Sequence, residues 1–294
     1  MNIGSLLIRH SRYRPDHPAF VFGDLRLSYH AFNDRVNSLS NTLLKRGLQK
    51  GDTVFAVLSN SWELMTLYWM AAKTGIIIVP ASTLLQASGL KSLINDSESV
   101  MVFADHSFAE ILDLIKDEID TVAGDGYVLI GSDHAPDGYV TYNQLVADSD
   151  ETEPPEAGLV DDDIYNIMYT SGTTGEPKGI VHTHYVRAHY CTIFAMSFRM
   201  TPESVVLHAG SIAFNGAMID LMPWMFVGCT YILHKAFDAL AVMDEIERGN
   251  VTHIVLVPAQ IIQILNHPDY DPSRLSSLQM ILSVGAPLAL SYKE

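Results

Sequence analysis

Residues 169–179 read YTSGTTGEPKG, from Tyr169 through Thr170, Ser171, Gly172, Thr173, Thr174, Gly175, Glu176, Pro177 and Lys178 to Gly179. The segment before it, Ile164 to Tyr169, has strand character, and Gly179 to His182 extends as another strand. Between them, glycines let successive backbone N–H groups converge on an anion. The hydroxyls of Thr170, Ser171, Thr173 and Thr174 can donate to phosphate oxygens. Lys178 supplies a mobile positive charge, and Pro177 stiffens the approach and removes a competing donor. A turn that merely joins two strands needs small residues, but not this ordered set of glycines, hydroxyls and a lysine. The spacing is not that of a Walker A loop. Counting from Gly172, the second glycine would fall at position 177, which is proline, and no Ser or Thr follows Lys178.

On the N-terminal side, Ala19 to Phe22 and Arg26 to Ser28 alternate around Gly23-Asp24 as a hairpin. Ser28 can cap a helix in which Phe32, Val36, Leu39, Leu43 and Leu44 recur at helical spacing, with Gly47 as terminator. Strand Thr53–Leu58, helix Trp62–Lys73, strand Ile76–Val79, helix Leu90–Asn95, strand Val100–Ala104, helix Phe108–Asp117 and strand Gly126–Ile130 follow. Residues 148–163, DSDETEPPEAGLVDDD, are acidic and proline-bearing, and read as a solvated surface connector. After the loop come helix Tyr185–Phe198, strand Ser204–His208, helix Met218–Phe226 and strand Thr230–Leu233. Helix Ala239–Arg248, strand Thr252–Val257, helix Ala259–Asn266 and strand Met280–Val284 complete the chain. Continuous apolar strands alternating with helices predict a parallel sheet covered on both faces. Ligands of such sheets gather beyond the carboxyl ends of the strands, where YTSGTTGEPKG falls.

The 294 residues have a formal net charge of -16, with 48% hydrophobic and 18% charged. An acidic surface repels polyphosphate backbones, so nucleic acid is not an expected partner, and any phosphate site must be built locally. Two cysteines, Cys191 and Cys229, lack metal-type spacing, and a cytoplasmic, reducing setting fits them. No HExxH or comparable zinc pattern accompanies the histidines. The apolar stretch Ile3–Ile8 is too short for a signal peptide. The run Ile212–Leu233 is interrupted by Asn215, Asp220 and Pro223, and reads as buried core rather than a membrane span.

The stretch IMYTSGTTGEPKG closely resembles the signature of the adenylate-forming superfamily, which includes acyl- and aryl-CoA synthetases, nonribosomal adenylation domains and firefly-type luciferases. LSYHAFNDRVNSLSNTLLKRGLQKGDTVFAVLSNSWELMTLYWMAAKTGIIIVPAS resembles the N-terminal course of acyl-CoA synthetases. VTHIVLVPAQIIQIL resembles the segment lining their acyl pocket, and ILSVGAPL the segment whose turn meets adenine. The resemblance covers essentially the whole chain. It implies an α/β fold of two stacked, mostly parallel sheets with flanking helices, ending before the β-barrel subdomain and the C-terminal domain. Residues 1–294 would then form an incomplete N-terminal AMP-binding domain.

The chemistry implied is ATP-dependent activation of a carboxylic acid, fatty or aryl, to acyl-AMP, followed by thioester formation with coenzyme A, with Mg2+ accompanying ATP. Residues 170–175 (Thr170, Ser171, Gly172, Thr173, Thr174, Gly175) and Lys178 match the phosphate-binding loop, with Thr173 and Lys178 carrying the catalytic role. Gly285, Ala286 and Pro287 match the adenine-contacting turn, where relatives often have Gly-Gly and this chain has Val284-Gly285. Within HAGSIAFNGAMIDLMPW, Phe214 or Asn215 falls at the carboxylate site, with Ser211 in place of a family proline. Phe214, Asn215, Met218, Val257 and Ala259 are the candidate acyl-pocket residues, and each is also compatible with ordinary core. His184 stands where relatives often carry Thr-His, and a supporting role is expected of it. No residue of the chain is assigned to the metal, and a homodimer is compatible with the resemblance.

Relatives continue for roughly another 200 residues or more, beyond a single domain's length. That part carries the Tyr-Gly-x-Thr-Glu motif, the ribose-binding aspartate, the hinge and the mobile domain with its lysine. A chain lacking it is expected to bind nucleotide poorly and to turn over little or not at all. Two alternatives stay open: an enzyme that loads a carrier-protein thiol, and a non-catalytic nucleotide-binding homologue.

Overall fold

The computed structural model describes residues 2–170 and 177–293. Thirteen strands are found among them: β1 Pro18–Phe22, β2 Leu25–Ser28, β3 Thr53–Val57, β4 Ile77–Ala81, β5 Met101–Asp105, β6 Tyr127–Ile130, β7 Val140–Thr141, β8 Ile164–Thr170, β9 Lys178–Thr183, β10 Val205–His208, β11 Thr230–Leu233, β12 His253–Leu256 and β13 Met280–Ser283. The helices are α1 Gly4–Tyr13, α2 Tyr29–Lys45, α3 Trp62–Thr74, α4 Ala87–Asp96, α5 Ala109–Asp113, α6 Tyr142–Val146, α7 His184–Ser197, α8 Met218–Val227, α9 Ala239–Gly249 and α10 Pro258–Leu265. The chain divides into two compact units, Met1–Arg9 with Ala31–Ala188, and His10–His30 with His189–Glu294.

The first unit holds a seven-stranded sheet in the order β7-β6-β5-β3-β4-β8-β9. Its pairs are parallel except β8–β9. Central β3 and β4 are buried at every position, the mark of a strand covered on both faces. Strand β4 runs on through Pro80 to Ala81, past the expected end at Val79, and its register with β8 is recorded only at Ile78↔Asn166. A proline that cannot donate is tolerated where such pairing has stopped. Helix α3 is buried from Leu64 to Thr74; the Ser61 side chain caps its start by accepting from the Leu64 N–H, and Gly75 ends it at φ 74°. At the N-terminus, α1 extends over residues read only as an apolar stretch. Its Gly4 lies so close to the Ala72 carbonyl that no Cβ would fit.

The second unit holds a six-stranded sheet in the order β13-β12-β10-β11-β1-β2, parallel except for the β1–β2 hairpin. Helix α9 packs Val242, Met243 and Ile246 against Leu207, Ile232 and Ile254 of this sheet. Two mostly parallel sheets with flanking helices thus agree with the fold implied by the resemblance. Among the described residues no helix is long and apolar enough to cross a membrane.

Two expectations need correction. The helix expected over Phe108–Asp117 breaks into a 3-10 turn His106–Phe108, the short α5, and a second 3-10 turn Lys116–Glu118. The Tyr139 hydroxyl donates to the Ala109 carbonyl and the Asp113 carboxylate, each at 2.9 Å. The Lys116 ammonium sits 3.3 Å from the Tyr139 ring centre. These tertiary bonds draw the polar groups inward and override the helical spacing. The acidic connector is also not simply solvated. Asn33, Asn37 and Asn41 form one polar stripe on α2 at i, i+4 spacing. Asn41 donates to the carbonyls of Asp150 and Thr152, Asn37 to that of Glu151, and Asn33 to the Glu153 carboxylate. Lys73, buried on α3, donates to Asn33, Asn37 and Glu153 at 2.6–2.7 Å. A buried ammonium is tolerable only with such partners.

Burial alone would raise the Glu153 carboxyl, but hydrogen bonds from Lys73 and Asn33, with the Lys73 charge, hold it below the ordinary value of 4.5. Its contribution to stability is therefore complete above pH 4.5 and is lost as pH falls through the lower folded value. Glu153→Gln leaves Lys73 without its counter-charge and should cost about 3 kcal/mol, measured by urea denaturation at pH 7. The gap between the two proteins should narrow as the pH is lowered below 4.5. A variant as stable as the native chain at pH 7 would show that the clamp contributes nothing.

Candidate functional site

Strands β8 and β9 run antiparallel, with Tyr169 opposite Gly179 and Thr170 opposite Lys178. Thr170 and Lys178 are thus the last matched pair at the mouth of the connection, and both are exposed. Ser171, Gly172, Thr173, Thr174 and Gly175 lie outside the described residues. What the structure shows is the stem that presents them. A Cβ at Gly179 would come within 3.0–3.2 Å of Ile167 and the Tyr169 ring. Glycine there lets Tyr169 lie across the partner strand. The Tyr169 hydroxyl donates to the Asp96 carboxylate at 2.5 Å. Burial, and then this bond, push the phenol well above its ordinary value, so it serves as a donor that holds the stem.

Behind the stem stands Arg187 on α7, fully buried, its Nε donating to the Asn166 side-chain oxygen at 3.0 Å. Sequence reasoning missed it; the available signal was a single arginine in a helix with no lysine, aspartate or glutamate. His184 is buried at the start of α7, where its backbone N–H donates to the Asp163 carbonyl, and its ring meets Tyr165 edge-on. Burial is the main cause that lowers both His182 and His184 to about 4, with the Arg187 charge second for His182. Neither ring is poised for proton transfer near neutral pH.

In the second unit the candidates gather at the carboxyl ends of three neighbouring strands, β10, β12 and β13. After β10 the chain forms an irregular turn through Phe214, then a 3-10 turn Asn215–Ala217, then α8. Phe214 is 50% exposed, unlike a core aromatic, while Met218 is fully buried. The Asn215 amide reaches the Tyr190 hydroxyl at 3.4 Å. After β12, Val257 precedes α10 and its N–H donates to the Gln260 side-chain oxygen, with Ala259 exposed in the first turn. After β13, Gly285 adopts φ +88°, a left-handed conformation that glycine takes freely. A Cβ there would stand 3.6 Å from Val257. The structure therefore brings Val257 and Gly285 together and leaves Ala286 and Pro287 exposed beyond them. Met218 belongs to the core of the unit.

Magnesium prefers an octahedral set of oxygen ligands. Among the described residues no group of three or more His, Cys, Asp or Glu could hold a metal ion.

With folded values near 4, His182 and His184 stay neutral while the unfolded chain protonates from 6.5 downwards. Their contribution to stability is complete above pH 6.5 and declines as the pH falls towards 4. Imidazole 15N shifts should report both rings as neutral at pH 5.5. A protonated signature for either at that pH would contradict the burial argument.

The sequence is 27% identical to the indoleacetate–CoA ligase of Aromatoleum aromaticum over 96% of the chain and 54% of that protein. It is 29% identical to the long-chain-fatty-acid–CoA ligase FadD13 of Mycobacterium tuberculosis, over 98% of the chain and 56% of that protein. The chain thus spans about half the length of these curated relatives. The crystal structure of the inhibitor-bound N-terminal domain of FACL13 from Mycobacterium tuberculosis superposes with a TM-score of 0.87 at 27% identity, covering 99% of this chain and 71% of that one. Matched from residue 7 to residue 294, the chain belongs to the family of AMP-binding enzymes.

Proposed function

We propose that this chain carries the phosphate-gripping and acid-binding part of an acid–thiol ligase that makes acyl-CoA through an acyl-adenylate. The observation that carries the reading is the hairpin of β8 and β9, which closes a run of glycines and hydroxyls with the exposed Thr170–Lys178 pair. The relatives named as CoA ligases of aryl and fatty acids support the same class of acid.

In this reading an oxygen of the substrate carboxylate attacks the α-phosphorus of ATP. The bond between that phosphorus and the bridging oxygen breaks, and its electron pair leaves with pyrophosphate. The chain's task is electrostatic: loop N–H groups, the Thr170 hydroxyl and the Lys178 ammonium orient the polyphosphate and stabilise the charge that builds on the leaving group. Phe214, Asn215 and Val257 would border the acid, and the turn Gly285–Pro287 the adenine. In the second half-reaction the sulfur of coenzyme A, having lost its proton, attacks the acyl carbon and AMP departs with the C–O electron pair. Magnesium, when bound, screens charge on the phosphates.

Acid-dependent exchange of labelled pyrophosphate into ATP, run on the protein as its gene encodes it with a panel of fatty and aryl acids, tests this function. Lys178→Ala should slow exchange by about 10- to 1000-fold, the scale of losing one charge-stabilising donor. An unchanged rate would remove Lys178 from the mechanism, and no exchange with any acid would count against adenylation itself.

A further inference from the structure

Asp220 is a buried carboxyl on the first turn of α8, 2% exposed. One of its oxygens accepts from Nδ1 of His208, the last residue of β10, at 2.8 Å. The other accepts from the hydroxyl of Tyr231 on β11 at 3.0 Å. His208 and Tyr231 are themselves buried, their rings nearly parallel with centres 6.3 Å apart. Bonding at Nδ1 fixes the ring, so Nε2 faces Gly210, where a Cβ would stand 3.3 Å away. That nitrogen is buried and unpartnered among the described residues.

The His208–Asp220 bond spans twelve residues, and Phe214 lies at the midpoint of the excursion it closes. Within the turn, short local bonds run from the Ala213 N–H to the Ser211 hydroxyl and from the Ala217 N–H to the Phe214 carbonyl, and the Asn215 amide reaches the Tyr190 hydroxyl on α7. A bond that joins both ends of a loop and is shielded from water restricts it far more than bonds within it. A buried carboxyl costs free energy unless it is fully bonded, and here it is bonded to two strands at once.

We infer that His208 is a positioning residue: held by Asp220 and Tyr231, it staples the turn 209–217 so that Phe214 and Asn215 stand where the acid substrate binds. The inference rests on the adenylation reading for its kinetic consequence, and on the fold alone for its effect on the turn. The ring has two nitrogens with separable roles. Asn places its amide near the Nδ1 position and can still donate to Asp220, whereas Gln places its amide near the Nε2 position and cannot do so as well.

The test uses His208→Ala, Asp220→Ala, His208→Asn and His208→Gln in the protein as its gene encodes it. Assays are run at a temperature where thermal melts show each variant folded. Both Ala variants should raise the KM for the acid by about 10- to 100-fold, the scale of a misplaced binding group. The KM for ATP should move less than about two-fold, within the scatter of a site left intact. His208→Asn should recover most of the loss, and His208→Gln should behave like Ala. Independently of activity, amide hydrogen exchange should accelerate across 209–217 in the Ala variants, with the sheet amides unchanged. Equal rises in both KM values would overturn the staple, as would recovery by Gln but not Asn, which would make Nε2 a direct contact. Unchanged exchange in the turn would also overturn it. Faster exchange there in a protein that adenylates no acid would uphold the staple while the functional reading fell.

Discussion

Two parallel strands cannot be joined by a tight turn; the chain must leave the sheet, cross a face and return. That constraint organises both units. It calls for helices over the faces, so central strands such as β3 and β4 are buried at every position. It also points the carboxyl ends of neighbouring strands the same way, where the departing chain is free of ladder bonds. In the second unit those ends deliver Phe214, Val257 and Gly285 from three adjacent strands. In the first unit the exception is equally telling. The β8–β9 pair is antiparallel, so a short connection suffices, and the glycine- and hydroxyl-rich run is that connection.

Burying helices and strands this fully leaves little room for polar groups, and two charged groups inside are each bonded more than once. Lys73 donates to Asn33, Asn37 and Glu153, and so ties an acidic connector to two helices. Asp220 accepts from His208 and Tyr231, and ties α8 to two strands. In each case removing one member leaves a charge or dipole without water or partner, which costs more than the bond itself contributes. Buried polar groups of this kind specify one arrangement of neighbouring elements, where apolar packing alone would tolerate several.

Most strands and helices were legible in the sequence because apolar periodicity reports burial directly. The family was legible in YTSGTTGEPKG because its residue types have few other uses together. What escaped depended on partners distant in the chain. The helix expected at 108–117 is undone by Tyr139, whose hydroxyl claims a carbonyl and a carboxylate there. The connector looked solvated because its bonds go to asparagines more than a hundred residues earlier; the stripe Asn33, Asn37, Asn41 was the sign. His208 and Asp220 sat in view within an apolar stretch, but only the adjacency of β10, α8 and β11 gives them a common purpose. Arg187 shows its importance only through its complete burial.

The proposed chemistry turns on attack by a substrate carboxylate on the α-phosphorus of ATP. Oxygen tracing tests it most directly. An acid carrying 18O in its carboxylate is incubated with ATP, coenzyme A and the protein as its gene encodes it, and the nucleotide and phosphate products are analysed by mass spectrometry. One 18O atom is expected in AMP and none in pyrophosphate. Label in inorganic phosphate, with ADP as the nucleotide product, would mean attack at the terminal phosphorus and would contradict it.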